Sequence, residues 1–412
     1  MPKFAPGRFP PGFFDLPADA GEDLPLAIID EWKESSQDAG AAAAVLASRT
    51  LRGTVVSSDS AGLTRLSRER PLLEILALIS RPKELIHGFG RAIGGRALGT
   101  WAADNTQMFY PGEVPAERVV GMLRAVQLRL LEERTIGIGF CAHRGVFYEL
   151  GEGVYGLDAD RVEAVAEEHT SGGELVITGD LAASLPPGHG FRLSPRADLA
   201  EAFGEILRVE EGPALAGVEP TDLRYPTPFD EAFYEELRGW SSGEQPGALP
   251  RPEYHDRAVV LVERERDEPD VPEVALLNDL ALAAAMRRIG RSLLPEHGGE
   301  EVKATGSISI YVFREPGPAA AFAQAFREAF AEQGVQTRIG IDAGDVLLFD
   351  LGRGRHDIAG SPVNVASKLA QDCGEFGRIY LSEAATRRAR LERRSRTVTF
   401  DVSGVSLSAR TL

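Results

Sequence analysis

Two stretches of this chain place carboxylates where a metal-bound phosphate chain can be held. The first is Asp59-Ser60-Ala61-Gly62-Leu63-Thr64, which follows the β-branched run TVVSS at residues 54–58. A carboxylate at a strand end supplies a hard oxygen ligand, and a Gly-containing turn that opens a helix supplies free backbone N–H groups for phosphate. The second is Asp104, 45 residues further on, in ALGTWAADNTQMFY, which reads as a hairpin with Asp104-Asn105 at its turn. Taken singly, each Asp also reads as ordinary turn chemistry. Topology decides between these readings, because a strand and a hairpin that neighbour each other at a sheet centre bring the two carboxylates together.

The elements that must position them occur twice. Residues 137–180, GIGFCAHRGVFYELGEGVYGLDADRVEAVAEEHTSGGELVITGD, and residues 338–384, RIGIDAGDVLLFDLGRGRHDIAGSPVNVASKLAQDCGEFGRIYLSEA, both read strand, turn, strand, loop, helix, strand. Upstream, TVVSS is matched by AVVLV at 258–262, each followed by a helix-compatible stretch, a hairpin and a second helix. The second hairpin, EVKATGSISIYVF, has Gly306-Ser307 at its turn. Each copy therefore predicts a β-α-β-β-α-β order, an α+β fold of the split βαβ, ferredoxin-like kind. The expected organisation is an N-terminal arm at 1–35, a first domain at 36–202, a Pro/Gly/Ser-rich linker with one short helix at 203–254, and a second domain at 255–412.

Composition narrows the function classes. A net charge of −17 opposes binding to nucleic acid, while a small nucleotide stays open because divalent cations mediate between carboxylates and phosphates. The two cysteines, Cys141 and Cys373, make no disulfide framework or zinc cluster, which leads to the expectation of a reducing, cytoplasmic setting. No run approaches the roughly 20 apolar residues that cross a bilayer, so membrane insertion is not expected. The ERERDEPD run at 263–270 reads as a solvated surface, and the arginines at 387, 388, 390, 393, 394 and 396 read as a solvated helix end.

The second copy carries longer signals. Its hairpin reads Lys303-Ala304-Thr305-Gly306-Ser307, and a later loop and helix read Asp357-Ile358-Ala359-Gly360-Ser361-Pro362-Val363-Asn364-Val365-Ala366-Ser367-Lys368. These resemble the K-x-x-G-D and D-x-x-G-x-x-V-N-x-A-x-R motifs of the class III adenylate and guanylate cyclases, and Asp59 to Thr64 resembles the family's D-I-x-G-F-T. The resemblance implies two cyclase domains packed as a pseudo-twofold pair that convert ATP to cyclic AMP and pyrophosphate at a site shared by both. It implies Asp59, Asp104 and the Ser60 carbonyl as ligands of two divalent cations, Mg or Mn. It likewise implies phosphate contacts from the Gly62-Leu63-Thr64 turn, adenine reading by Lys303 and Asp357, a ribose contact from Asn364, and Lys368 where the family has an Arg.

The copies depart from the pattern in complementary ways. In the second, Glu263 and Ser307 stand at the metal positions. In the first, Thr100, Gly153 and Asp160 align with Lys303, Asp357 and Asn364. Metal binding is thus expected from copy one alone and purine reading from copy two alone. Two features favour the opposite reading, an inactive nucleotide-binding or protein-interaction scaffold. Lys368 lacks the planar bidentate fork of an Arg, and TVTFDVSGVSLSARTL holds no lysine for the phosphates, leaving Arg410 or the Arg387–Arg396 cluster to substitute. A regulatory protein partner is left open.

Overall fold

The structure, a computed structural model, describes residues 25–412 apart from 64–65, 67–68, 102–103, 134–135, 152, 222–223, 242–252, 267–269, 353–354, 392–395 and 403–404. The chain divides into two compact units, Ala47–Arg251 and Met1–Leu46 with Pro252–Leu412. Helices α1 (Leu26–Glu34) and α2 (Ala39–Ala47) open the described chain.

In the unit of Ala47–Arg251 the strands are β1 (Thr50–Ser60), β2 (Arg96–Ala97), β3 (Thr106–Pro111), β4 (Ile138–Leu150), β5 (Gly153–Tyr155), β6 (Leu175–Thr178), β7 (Arg192–Pro195) and β8 (Ile206–Glu211). The helices are α3 (Leu72–Ala92), α4 (Ala116–Glu133), α5 (Leu157–His169), α6 (Gly179–Ala183), α7 (Ala200–Phe203) and α8 (Glu231–Ser241). The sheet order is β2-β3-β1-β4-β6-β8-β7, with β5 paired to β4. All neighbours are antiparallel except β4 and β6.

The unit of residues 252–412 repeats this plan. Its strands are β9 (His255–Arg264), β10 (Gly299–Thr305), β11 (Ile308–Phe313), β12 (Thr337–Gly352), β13 (Arg355–Ala359), β14 (Ile379–Ser382), β15 (Arg396–Val402) and β16 (Val405–Thr411). Its helices are α9 (Pro272–His297), α10 (Pro316–Ala331), α11 (Ser361–Ser367) and α12 (Glu383–Ala389). The order β10-β11-β9-β12-β14-β16-β15, with β13 on β12, matches the first sheet strand for strand. The split βαβ core expected of each copy is present.

Alternation along the central strands builds two layers of core. Val55 joins Phe109, Phe147 and the α5 residues Val162 and Val165 on one face. On the other face Tyr110 packs so closely on α3 that a Cβ at Gly90 would come within 2.7 Å of its hydroxyl. In the second unit Val259 and Leu261 pack with Val346, Ile358 and Ala366 of α11. Asp59 and Glu263 each lie four residues beyond Val55 and Val259, so each falls on the face covered by α5 or α11.

Some segments carry more structure than their composition announced. Residues 203–254 contain β8, which hydrogen-bonds to β6 and β7, and α8, which packs on α3. The first hairpin is not tight, since β2 is two residues long and ends at Ala97, whereas β3 begins only at Thr106. Trp101 anchors that loop by stacking on Tyr225, and its carbonyl accepts a 2.7 Å bond from the buried Lys83. Helix α1, in the stretch read as an arm, buries Ile28, Ile29 and Trp32. Among the described residues no helix is long and apolar enough to cross a membrane.

Candidate active-site residues

Asp59 is the next-to-last residue of β1, beside Gly139 of β4, and Ser58 before it pairs with Thr106, two positions after Asp104. The strand and the hairpin thus converge, and the Asp59 and Asp104 carboxyls share a hydrogen bond. Burial, then the Asp104 charge and that shared bond, then the charge of Glu167 push the Asp59 carboxyl up from its ordinary 3.8 to about 8. A carboxyl raised by burial and by a neighbouring carboxylate is one whose negative charge a bound cation would relieve, so the two side chains fit divalent-metal ligation. Among the described residues no group of three or more His, Cys, Asp or Glu is placed to hold a metal.

Two neighbours of the pair carried no motif in the sequence. Glu167 on α5 accepts a hydrogen bond from the Asn105 side chain, tying the helix to the residue after Asp104. The loop Ser171-Gly172-Gly173 presses on the turn after Asp59, where a Cβ at Gly172 would meet Ala61 Cβ at 2.8 Å. Opposite Asp59, a Cβ at Gly139 would collide with Thr170 Oγ1, so this position requires glycine. The turn itself is closed by Ala61 N–H donating to the Gly137 carbonyl at 2.9 Å. Gly62 takes a left-handed φ of 77°, and Ser60 is 4% exposed. Thr64 lies outside the described residues.

The equivalent place in the second copy holds arginines. Glu263 pairs with Arg338 of β12, as Asp59 pairs with Gly139, and Arg338 Nε donates to Glu263 Oε2 at 2.6 Å. Arg264 follows as Ser60 follows Asp59, and it is fully buried. Its guanidinium donates to Asp279 Oδ1 at 2.7 Å and to the Asp279, Glu265 and Gly306 carbonyls, while its backbone N–H donates to the Ser307 carbonyl. The solvated surface expected over 263–270 is therefore corrected at its start, where a buried guanidinium neutralises Asp279. Residues 267–269 lie outside the described set. Glu263 is already ion-paired and Ser307 offers no charge, so this position does not fit a divalent cation.

Lys303 and Asp357, the residues expected to read a purine, come together within the second copy. Lys303 Nζ on β10 lies 3.6 Å from Asp357 Oδ2 on β13. Asp357 is 5% exposed and its Oδ1 accepts the Ile358 N–H at 2.8 Å, which fixes the carboxylate. Asn364 is exposed on α11, one turn before Lys368. At Lys368 the helix widens into a π-turn, Lys368–Asp372, and Lys368 Nζ donates to Asp372 Oδ2 at 3.3 Å. Among the basic residues weighed for phosphate contact, Arg388 pairs with Asp256 at 2.7 Å, and Arg393 and Arg394 lie outside the described residues.

In the first copy Gly153 faces Leu150 across the β4–β5 turn, as Asp357 faces Phe349, so no carboxylate stands there.

The sequence matches no protein-family profile and no curated relative. Solved structures do match. A class III adenylyl cyclase-like ATP-binding protein from Pseudomonas aeruginosa aligns with a TM-score of 0.55 at 11% identity, over 82% of this chain and 85% of that one. An adenylate/guanylate cyclase/hydrolase from Silicibacter pomeroyi aligns at 24% identity over 39% of this chain and 95% of that chain, with a TM-score of 0.32. The adenylyl cyclase CyaB from P. aeruginosa aligns at 17% identity over 40% and 96%, also with a TM-score of 0.32. The fold is that of class III cyclase-like proteins, carried here as two similar halves.

Proposed function

We propose that the chain binds ATP and closes it to cyclic AMP, releasing pyrophosphate, at one site to which copy one brings Asp59 and Asp104 and copy two brings Lys303, Asp357 and Asn364. The supporting observation is the asymmetry of the halves. The carboxylate pair survives only where no arginine neutralises it, and the Lys303–Asp357 pair exists only in the other copy.

In this reading Lys303 donates to adenine N1 and Asp357 accepts from the exocyclic amine, its Oδ2 being the oxygen not taken by Ile358. Guanine reverses that donor and acceptor pattern, so the pair selects ATP. Asn364 orients the ribose, and the N–H groups of Gly62 and Leu63 in the turn after Asp59 donate to phosphate oxygens. Asp59 and Asp104 would hold two Mg or Mn ions, which supply a lowered pKa at the ribose 3′-hydroxyl and charge neutralisation on the triphosphate. The 3′-oxygen loses its proton and bonds the α-phosphorus, the bond from that phosphorus to the bridging oxygen breaks, and pyrophosphate leaves.

A second reading, nucleotide binding without turnover, is favoured by Lys368. Its ammonium is engaged by Asp372 where the reaction asks for a free phosphate-steadying cation. The solved relative described as a cyclase-like ATP-binding protein accords with it. Purified protein with ATP and Mg²⁺ or Mn²⁺, its products separated by chromatography, decides between them. Cyclic AMP above an Asp59→Ala control supports catalysis. No turnover, with calorimetric ATP binding that Lys303→Ala weakens, supports the binding module.

A further inference from the structure

The helix that precedes each copy in sequence packs with the opposite copy. Helix α1 precedes copy one, yet it belongs to the unit of residues 252–412 and lies on α9. Helix α8 precedes copy two, yet it belongs to the unit of Ala47–Arg251 and lies on α3. The contacts repeat in kind. Trp32 is fully buried and its Nε1 donates to Asn278 Oδ1 of α9 at 3.0 Å. Tyr234 is 1% exposed and its hydroxyl donates to Glu84 Oε1 of α3 at 2.9 Å. Trp32 and Tyr234 stand 202 residues apart, against 204 for Asp59 and Glu263, so the two aromatics are counterparts in the repeat.

We infer that α1 and α8 are a reciprocally exchanged pair, and that α1 is a clasp by which the first half of the chain holds the second. An exchanged element joins the units that share it through an interface taken from within a folded core. Here Ile29 and Trp32 are buried to 1% and 0% exposure, and the indole N–H, which would be costly to bury unbonded, is satisfied by Asn278. The surface on α9 around Asn278 is thus a docking groove whose occupant is residues 26–34 of this same chain. The inference rests on the fold and is independent of whether ATP is turned over.

The test uses the full chain with a protease site placed within residues 243–250 and cut after folding. The cut leaves α1, copy one and α8 in one piece and copy two in the other. The expected result is co-elution of the nicked pieces at the mass of the whole chain. Trp32→Ala should weaken that association at least tenfold, read from dissociation on dilution, and Trp32→Phe, which keeps the ring and loses the donor, should fall between. Far-UV circular dichroism of the uncut variants checks folding; should Trp32→Ala not fold, Trp32→Phe against the parent decides by the same reading. Pieces that separate at once in the parent, or variants held as tightly as the parent, overturn the clasp.

Discussion

Arg338 donates to Glu263 across β12 and β9 at the register where Gly139 faces Asp59 with no side chain of its own. One copy thereby carries its counter-charge covalently and the other lacks it. Mn²⁺ should raise the melting temperature of the parent protein. Asp59→Asn with Asp104→Asn should abolish that rise, while Glu263→Gln should leave it intact, and scanning fluorimetry across a Mn²⁺ titration reads all three. Equal loss in Glu263→Gln would place a cation at the second copy.

Lys303 and Asp357 should differ in what their loss costs. Lys303 is 42% exposed at its side chain, so Lys303→Ala should weaken ATP binding while leaving the denaturation midpoint nearly unchanged. Asp357 is buried and accepts the Ile358 N–H, so Asp357→Ala should lower both affinity and stability, the latter by about 1–3 kcal/mol. The double change Lys303→Glu with Asp357→Cys should shift preference from ATP toward GTP. Competition calorimetry with the two nucleotides measures it, and an unchanged ratio would remove both residues from the base pocket.

The raised pKa of Asp59 sets a pH dependence with a definite sign. Its folded-state value of about 8 lies above the ordinary 3.8, so the neutral carboxyl's contribution to stability is complete below 3.8 and is lost as pH rises through 8. Protein stripped of divalent cations should therefore melt at lower temperature at pH 9 than at pH 6. Asp59→Asn should flatten that slope. Cation affinity should move the opposite way, rising through the same window as the proton is released.

Glu84 is fully buried at the junction of α3 and α8 and is met by Tyr234 at 2.9 Å, Arg238 at 3.1 Å and Arg81 at 3.2 Å. Burial pushes its carboxyl up, and Tyr234 and the two arginines oppose that. Glu84→Ala strands these partners and should destabilise the unit of Ala47–Arg251 by about 3–5 kcal/mol, whereas Tyr234→Phe should cost about 1 kcal/mol. Urea denaturation of the two variants checks the ratio.

The legible parts of this chain were those where one short segment carries its own constraint. Asp59 and Asp104 could be paired because the split βαβ order places their strand and hairpin side by side, and Lys303 and Asp357 because each sits in a long motif. What escaped depends on substitutions that gain meaning only across strands. Arg264 and Arg338 are 74 residues apart and look like surface charge until the β9–β12 register sets Glu263 against one and the Ser307 turn against the other. Glu167 joins the carboxylate neighbourhood through Asn105, a contact that no helix periodicity announces. The Trp32 helix was hidden because its partner is remote, although the 202-residue spacing to Tyr234 was present in the sequence.

The clasp also orders events during synthesis. Asn278, to which Trp32 bonds, leaves the ribosome 246 residues after it. At about 5–20 residues per second that interval is roughly 12–50 s. Throughout it α1 carries Ile28, Ile29 and Trp32 with no α9 to cover them, whereas α8 is made after the α3 it covers and meets it as soon as it emerges. The first unit can therefore complete itself while nascent. The second takes in a helix translated ahead of the first, so until α9 emerges the chain displays an apolar helix that a chaperone can bind and that α9 then covers.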